Sequence, residues 1–212
     1  AQALAQRLTP DVAALLVEPV CSATGRVAVE GAAQAAVLRR ACARAGVPLI
    51  ADETRCGLGR CGALLCAEAR GLAPAVTTLG DALGGGFAQL AAVVYDEAAL
   101  GGGGGKAPPF PSTATLCNDS LSSHVGLAAV HELRRLAPKV RAAAAAFELE
   151  LRTTLDGSRP TVERVGGCGL MVSVRFAPDR CAAFAARRGA RRDAPPNLAL
   201  YSYLLDEHAV RV

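Results

Sequence analysis

Aromatic residues are scarce in this sequence: no tryptophan, three tyrosines and five phenylalanines, 4% of the chain. A core must therefore be built from Ala, Val and Leu. The 51% hydrophobic content over 212 residues supplies enough of them for one large domain or one and a fraction. Lysine is scarcer still, since only Lys106 and Lys139 stand among 23 Lys and Arg residues. That imbalance has chemical weight: a lysine amine condenses with a carbonyl, whereas a guanidinium stays protonated and cannot. No apolar run approaches the ~18 residues needed to span a bilayer. No secretory leader is expected from these residues, and there is no CxxC pair. Eight cysteines in a long, core-rich chain read as reduced thiols rather than staples, so an intracellular setting, cytoplasmic or organellar, is expected. Cys56, Cys61 and Cys66 recur at equal spacing, but His124, His131 and His208 lie far from them, and no metal site is expected. The net charge of +4 is too small a bias for nucleic acid. Arg187, Arg188, Arg191 and Arg192 lack interleaved aromatics and read as a solvated basic loop. Neither nucleic acid nor a membrane is an expected partner. The chain opens at Ala1 without Met and stops at Val212 on a strand-like pattern, so both ends read as cut.

The hydrophobic pattern alternates strand with helix. Residues 12–20 (VAALLVEPV) form an apolar run closed by Pro19, a buried strand. Residues 31–45 are amphipathic and end at Gly46, a helix with its C-cap. Strands are expected at 47–51, 76–79 and 90–95, with a short helix at 63–70. Fully apolar strands separated by helices predict a mostly parallel α/β sheet. Beyond it the pattern predicts a glycine- and proline-rich loop, helices at 121–136 and 140–155, two strands within 161–176 and a last helix at 199–208. The change of pattern places a domain boundary near residue 137, with residues 1–136 in a larger α/β domain and 137–212 in a smaller, incomplete α+β domain.

Two glycine motifs invite a phosphate-binding reading. Gly57-Leu58-Gly59-Arg60-Cys61-Gly62 is a literal GxGxxG after a strand, as in a Rossmann-type nucleotide binder. In that motif the first glycine follows the strand directly, so that helix amides meet the phosphate. Here Asp52, Glu53, Thr54 and Arg55 intervene, with two carboxylates beside the anion. The run Gly101–Gly105 before Lys106 is followed by Ala107 and two prolines, with neither a magnesium-binding hydroxyl nor a helix.

A wider constellation is more specific. In order come Glu18-Pro19-Val20, Ala51-Asp52-Glu53-Thr54-Arg55 running into Gly57–Gly62, Thr78-Leu79-Gly80-Asp81-Ala82-Leu83-Gly84-Gly85-Gly86-Phe87, and Thr115-Leu116-Cys117-Asn118-Asp119-Ser120-Leu121. These resemble, in the same order and at compatible spacing, the "EPV", "DEVQTGFGRTG", "TLAKGLGGGFP" and "TFGGNPL" segments of class III aminotransferases, the group of ornithine, acetylornithine and 4-aminobutyrate aminotransferases. The resemblance covers nearly all of the chain and is tightest from Val12 to Leu121.

It implies a pyridoxal 5'-phosphate (PLP)-dependent fold of type I, divided between a partial large domain and a partial small one. It implies PLP as cofactor, a small-molecule amino donor, a keto acid or aldehyde acceptor, and a homodimer. PLP serves such enzymes as an electron sink, and a carboxylate beside its pyridine nitrogen keeps the nitrogen protonated. By the match, Asp52 would hold that place and Thr54 would lie against the ring. Arg55 would stand where many members have Gln near the ring hydroxyl, and Thr115 would reach the phosphate of a neighbouring subunit's cofactor. The departure is Asp81, at the position of the family's Schiff-base lysine, where a carboxylate forms no imine. Ala23 stands in place of a glutamate, and Gly166 in place of an arginine. The expectation is an aminotransferase-family chain with no catalytic residue in the lysine place and no activity of its own. The alternatives are a non-catalytic pseudoenzyme subunit or scaffold, and a Rossmann-type nucleotide binder.

Overall fold

The computed structural model describes residues 2–9, 11–96, 119–156, 161–189, 200 and 203–207. They fall into two compact units, one of residues 1–148 with 167–172, the other of residues 149–166 with 173–212.

In the first unit a short helix α1 (Gln2–Arg7) precedes strand β1 (Leu15–Val17). Helix α2 (Ala32–Ala45) follows, and Gly46 closes it in the left-handed region at φ 66°. Strand β2 (Leu49–Asp52), the short helix α3 (Cys66–Ala69) and strand β3 (Val76–Leu79) come next. A single 3-10 turn, Asp81–Gly84, then leads to strand β4 (Ala92–Tyr95). The sheet order is β1-β2-β3-β4, with the first two pairings parallel and the last antiparallel. A mostly parallel α/β sheet was the expectation. The antiparallel β4 follows a connection, residues 80–91, that holds only one 3-10 turn and no crossover helix to carry the chain back for a parallel return.

Register decides which side chains share a face. Leu15 pairs with Leu49, and Val17 with Ala51. These point into a core with Val29, Ala35, Cys42, Val47, Ala67 and Leu72, so α2 covers this face. Each fully buried Val or Leu there contributes roughly 1.5–3 kcal/mol over exposure. On the opposite face Leu16, Ile50, Val76 and Tyr95 line up across the strands. That face is only partly covered, with Leu16 62% and Val93 55% exposed.

Helix α4 (Ser120–Asp156) runs unbroken through Pro138, where two helices were expected. Its residues to Glu148 belong to the first unit. It passes over the glycine-rich connections: a side chain at Gly85 would meet Ala129, and one at Gly126 would strike Leu90.

The second strand pair, β5 (Val162–Cys168) and β6 (Met171–Phe176), forms its own two-stranded sheet. Its connecting residues 167–172 belong to the first unit. In the second unit, helix α5 (Pro178–Arg187) starts with Pro in the first turn, where its missing N–H costs nothing. The basic segment is not simply a solvated loop. Arg187 ends α5, and the Arg188 guanidinium lies 4.2 Å from the Tyr203 ring centre and 3.6 Å from Glu207. Arg191 and Arg192 lie outside the described residues.

Candidate active site at the ends of β2 and β3

Parallel pairing brings the last residue of β2 level with β3, Asp52 beside Thr78. Asp52 Oδ1 accepts three hydrogen bonds: from the Thr54 hydroxyl at 2.7 Å, the Thr54 amide at 3.0 Å and the Thr78 hydroxyl at 3.0 Å. Burial by itself would raise the carboxyl pKa. The Thr54 and Thr78 donors and the Arg55 charge outweigh it, and Asp52 is held below the usual carboxylate range. The strand end thus presents a fixed, ionised carboxylate where parallel α/β sheets commonly bind ligands.

The neighbouring carboxylate does something else. Glu53 is 1% exposed and accepts from the amides of Cys66 at 2.6 Å and Ala67 at 2.8 Å, so it anchors the start of α3. Burial pushes its pKa above the ordinary value despite those two donors. Gly57 packs on it so closely that a Cβ would come within 2.8–2.9 Å of Glu53 atoms. Glu53 therefore supports the segment that carries Asp52 and Arg55.

Asp81 follows β3 and opens the 3-10 turn with φ 30°, a sparsely populated backbone region for a residue other than Gly. Arg55 Nε lies 4.0 Å from Asp81 Oδ2, with the two side chains 64% and 68% exposed. Gly80 passes close to the Thr54 side chain, leaving 3.4 Å for a Cβ. Asp52, Thr54, Arg55 and Asp81 are thus gathered at one end of the sheet, with the Gly84–Gly86 turn following. Thr115 and Lys106 lie outside the described residues, and Lys139 lies within α4. Thr78 was not singled out from the sequence as a partner of Asp52. Its signal was the register: equal-length β2 and β3 in parallel set their last polar residues side by side.

The GxGxxG segment is no phosphate loop. Its amides bond within the segment and to the residues that follow, Leu58 N to Leu64 O at 2.7 Å, Gly59 N to Ala63 O at 3.1 Å and Gly62 N to Gly59 O at 2.9 Å. No helix N-terminus is left facing an anion. Among the described residues, the strands β1, β2 and β3 also run in simple sequence order, without the reversal at which Rossmann folds bind dinucleotides.

PLP can be tested against these residues. The pyridine end finds a fit in Asp52, which is ionised and fixed by three donors. The aldehyde end does not, because position 81 is a carboxylate paired with Arg55 rather than an amine. Among the described residues no set of His, Cys, Asp or Glu is arranged to hold a metal ion, and no helix is long and apolar enough to cross a membrane.

Comparison with known proteins agrees with this architecture. Ornithine aminotransferase of Bordetella pertussis is 34% identical over 179 residues, covering 84% of this chain and 41% of that protein. Acetylornithine aminotransferase of Mesorhizobium japonicum is 31% identical over 172 residues, 80% of this chain and 42% of that protein. The chain therefore spans about two fifths of the length of these curated relatives. Among solved structures, ornithine aminotransferase of Plasmodium yoelii superposes with a TM-score of 0.74 at 26% identity, covering 91% of this chain and 52% of that one. That of Toxoplasma gondii, described with PLP at partial occupancy in its active site, superposes at 0.72 with 25% identity, covering 92% and 46%. PLP is the cofactor of this family. The family model for aminotransferase class III matches residues 1–190, and the chain belongs to the class III aminotransferases.

Proposed function

We propose that this chain is a non-transaminating member of its family, one that keeps the carboxylate for a pyridine ring and has lost the amine that would hold the aldehyde. The observation that carries this reading is Asp81 in the lysine place, with Arg55 4.0 Å away on the same side of the sheet end. In this reading Asp52 holds a proton on the ring nitrogen of PLP, which when bound supplies an electron sink. Thr54 and Thr78 keep that carboxylate ionised and oriented, and Thr54 lies against the ring. Arg55 neutralises Asp81 and blocks the ring's hydroxyl side, so binding is non-covalent or lost. No transfer step follows, because no amine stands at position 81 to hold the cofactor aldehyde as an imine. The relatives' ornithine or acetylornithine, with a keto acid or aldehyde acceptor, is the ancestral substrate class.

The rest of the family's organisation comes with the same reading. Residues 1–136 correspond to the large domain and residues 137–212 to the small one. Thr115 contributes to a neighbouring subunit's phosphate site in a homodimer, and the protein is intracellular. A pseudoenzyme subunit is the role that suits a retained sheet with an altered site.

The test is direct. The purified chain is mixed with PLP, reduced with borohydride and mapped by peptide mass spectrometry, alongside Asp81→Lys and assays with ornithine and a keto acid. The expected result is no PLP-modified lysine and no turnover for the chain, with modification at position 81 in D81K. Turnover accompanied by PLP on Lys106 or Lys139 would overturn the proposal.

A further inference from the structure

Four cysteines that are far apart in sequence share one partly enclosed site in the first unit. Cys56 and Cys61 lie in the segment after β2, Cys66 opens α3, and Cys168 ends β5. All are free thiols; the first three are buried and Cys168 is half-buried. Cys56, Cys61 and Cys66 pack in one buried cluster with Cys168 against it, and the Cys168 thiol lies 3.4 Å from the Cys61 carbonyl oxygen. Arg70, one turn beyond Cys66, brings a cation into the group: its Nη2 is 2.8 Å from Cys168 Sγ, while Nη1 donates to the Val29 carbonyl. The turn after β5 is seated firmly there. Leu170 N donates to Arg60 O at 2.9 Å, and a Cβ at Gly169 would come within 2.5 Å of the Cys61 carbonyl carbon. A cavity of about 240 Å³, bounded by Cys61, Cys66, Cys168, Arg70 and Glu30, opens onto the sulfurs.

We infer that Cys66 and Cys168 form a peroxide-reactive dithiol that closes to an intrachain disulfide inside this cavity. Three other thiols pack around Cys66, and the Arg70 guanidinium stands 2.8 Å from Cys168 at the same cavity, a cationic setting that favours a thiolate and hence a nucleophile. The surrounding polar groups, Cys168 first and Arg70 among them, shift the Cys66 pKa below the usual thiol value against burial. A dication is the less suitable occupant, because the Arg70 charge already sits 2.8 Å from one sulfur. The cavity is large enough for a small neutral oxidant. The Cys66 thiolate attacks one oxygen of hydrogen peroxide and the O–O bond breaks. Sulfur is oxidised to a sulfenic acid, and the departing hydroxide takes up the proton that the thiol released. The Cys168 sulfur then attacks the Cys66 sulfur, the S–O bond breaks, and the leaving hydroxide departs as water with the Cys168 proton. Two thiols and one peroxide thus become one disulfide and two waters. The bond would tie the start of α3 to the end of β5.

The experiment treats the purified chain with one equivalent of hydrogen peroxide, alkylates residual thiols and maps non-reduced peptides. The expected product is a Cys66–Cys168 linked peptide lacking two hydrogens, with Cys21, Cys42 and Cys181 still alkylated and a melting temperature that rises and returns on reduction. C168S should stop at a Cys66 sulfenic acid that dimedone traps, and C66S should abolish both products. Arg70→Met should slow the reaction at least several-fold, and Arg70→Lys should restore most of the rate. Oxidation spread over all cysteines, a different disulfide pair, or a tightly bound zinc ion that blocks oxidation would each overturn the inference.

Discussion

Arg55 and Asp81 meet at 4.0 Å on an open surface, and solvent screening limits what such a pair contributes. A double-mutant cycle of Arg55→Gln and Asp81→Asn is expected to give a coupling of at most about 1 kcal/mol by chemical denaturation. A larger coupling would mean that the pair is desolvated in solution. Glu53 is the opposite case, buried and bonded to two amides. Because its folded pKa is raised, folding favours the protonated form. Its contribution is then greatest below the unfolded carboxyl pKa of about 4.3 and declines as pH rises through the folded value. Glu53→Gln should flatten that part of the stability–pH curve while keeping one acceptor. Glu53→Ala should leave two buried amides unpaired and cost about 2–5 kcal/mol. Asp52 has the opposite sign: its lowered pKa gives stability present above the unfolded carboxyl value and lost as pH falls through the folded one. Asp52→Asn should remove that acid-side loss, as read from melts at successively lower pH.

Helix α4 shows how local signals are weighed against context at the level of an element. Pro138 marks a break on sequence grounds, because proline removes an N–H and crowds the carbonyl four residues back. Yet no capping Ser, Thr, Asp or Asn stands just after it and no Gly just before. The flanking Leu136-Ala137 and Lys139 to Ala146 favour helix strongly. The helix continues through the proline. Replacing this exposed residue, Pro138→Ala, is expected to raise stability by roughly 1–3 kcal/mol, the lost helix bond outweighing proline's restriction of the unfolded chain. A melting temperature that falls instead would show two helices in solution. The strands and α2 were legible because their periodicity and the Gly46 stop agree. The antiparallel direction of β4 was not, since an apolar strand reads the same in either direction.

At the scale of the molecule, the sheet face opposite α2 is only partly covered among the described residues. Leu16 and Val93 lie on that face and are largely exposed. Leu16→Gln with Val93→Thr should reduce concentration-dependent association in light scattering. Surface changes of this kind move stability by only about 0.5 kcal/mol. Unchanged association would place the sticky surface elsewhere. By itself the sequence determined the α/β class, the ordered family motifs and the carboxylate at position 81, because these reside in residue identity and short-range periodicity. Tertiary structure decided which groups meet. Parallel register set Thr78 against Asp52, the two strand ends brought Arg55 to Asp81, and the docking of residues 167–172 carried Cys168 to Cys66 and Arg70. The physical reason is separation along the chain. Contacts spanning 26 residues between Asp52 and Thr78, or 98 between Arg70 and Cys168, leave no mark on local pattern and arise only when the sheet and its connections pack.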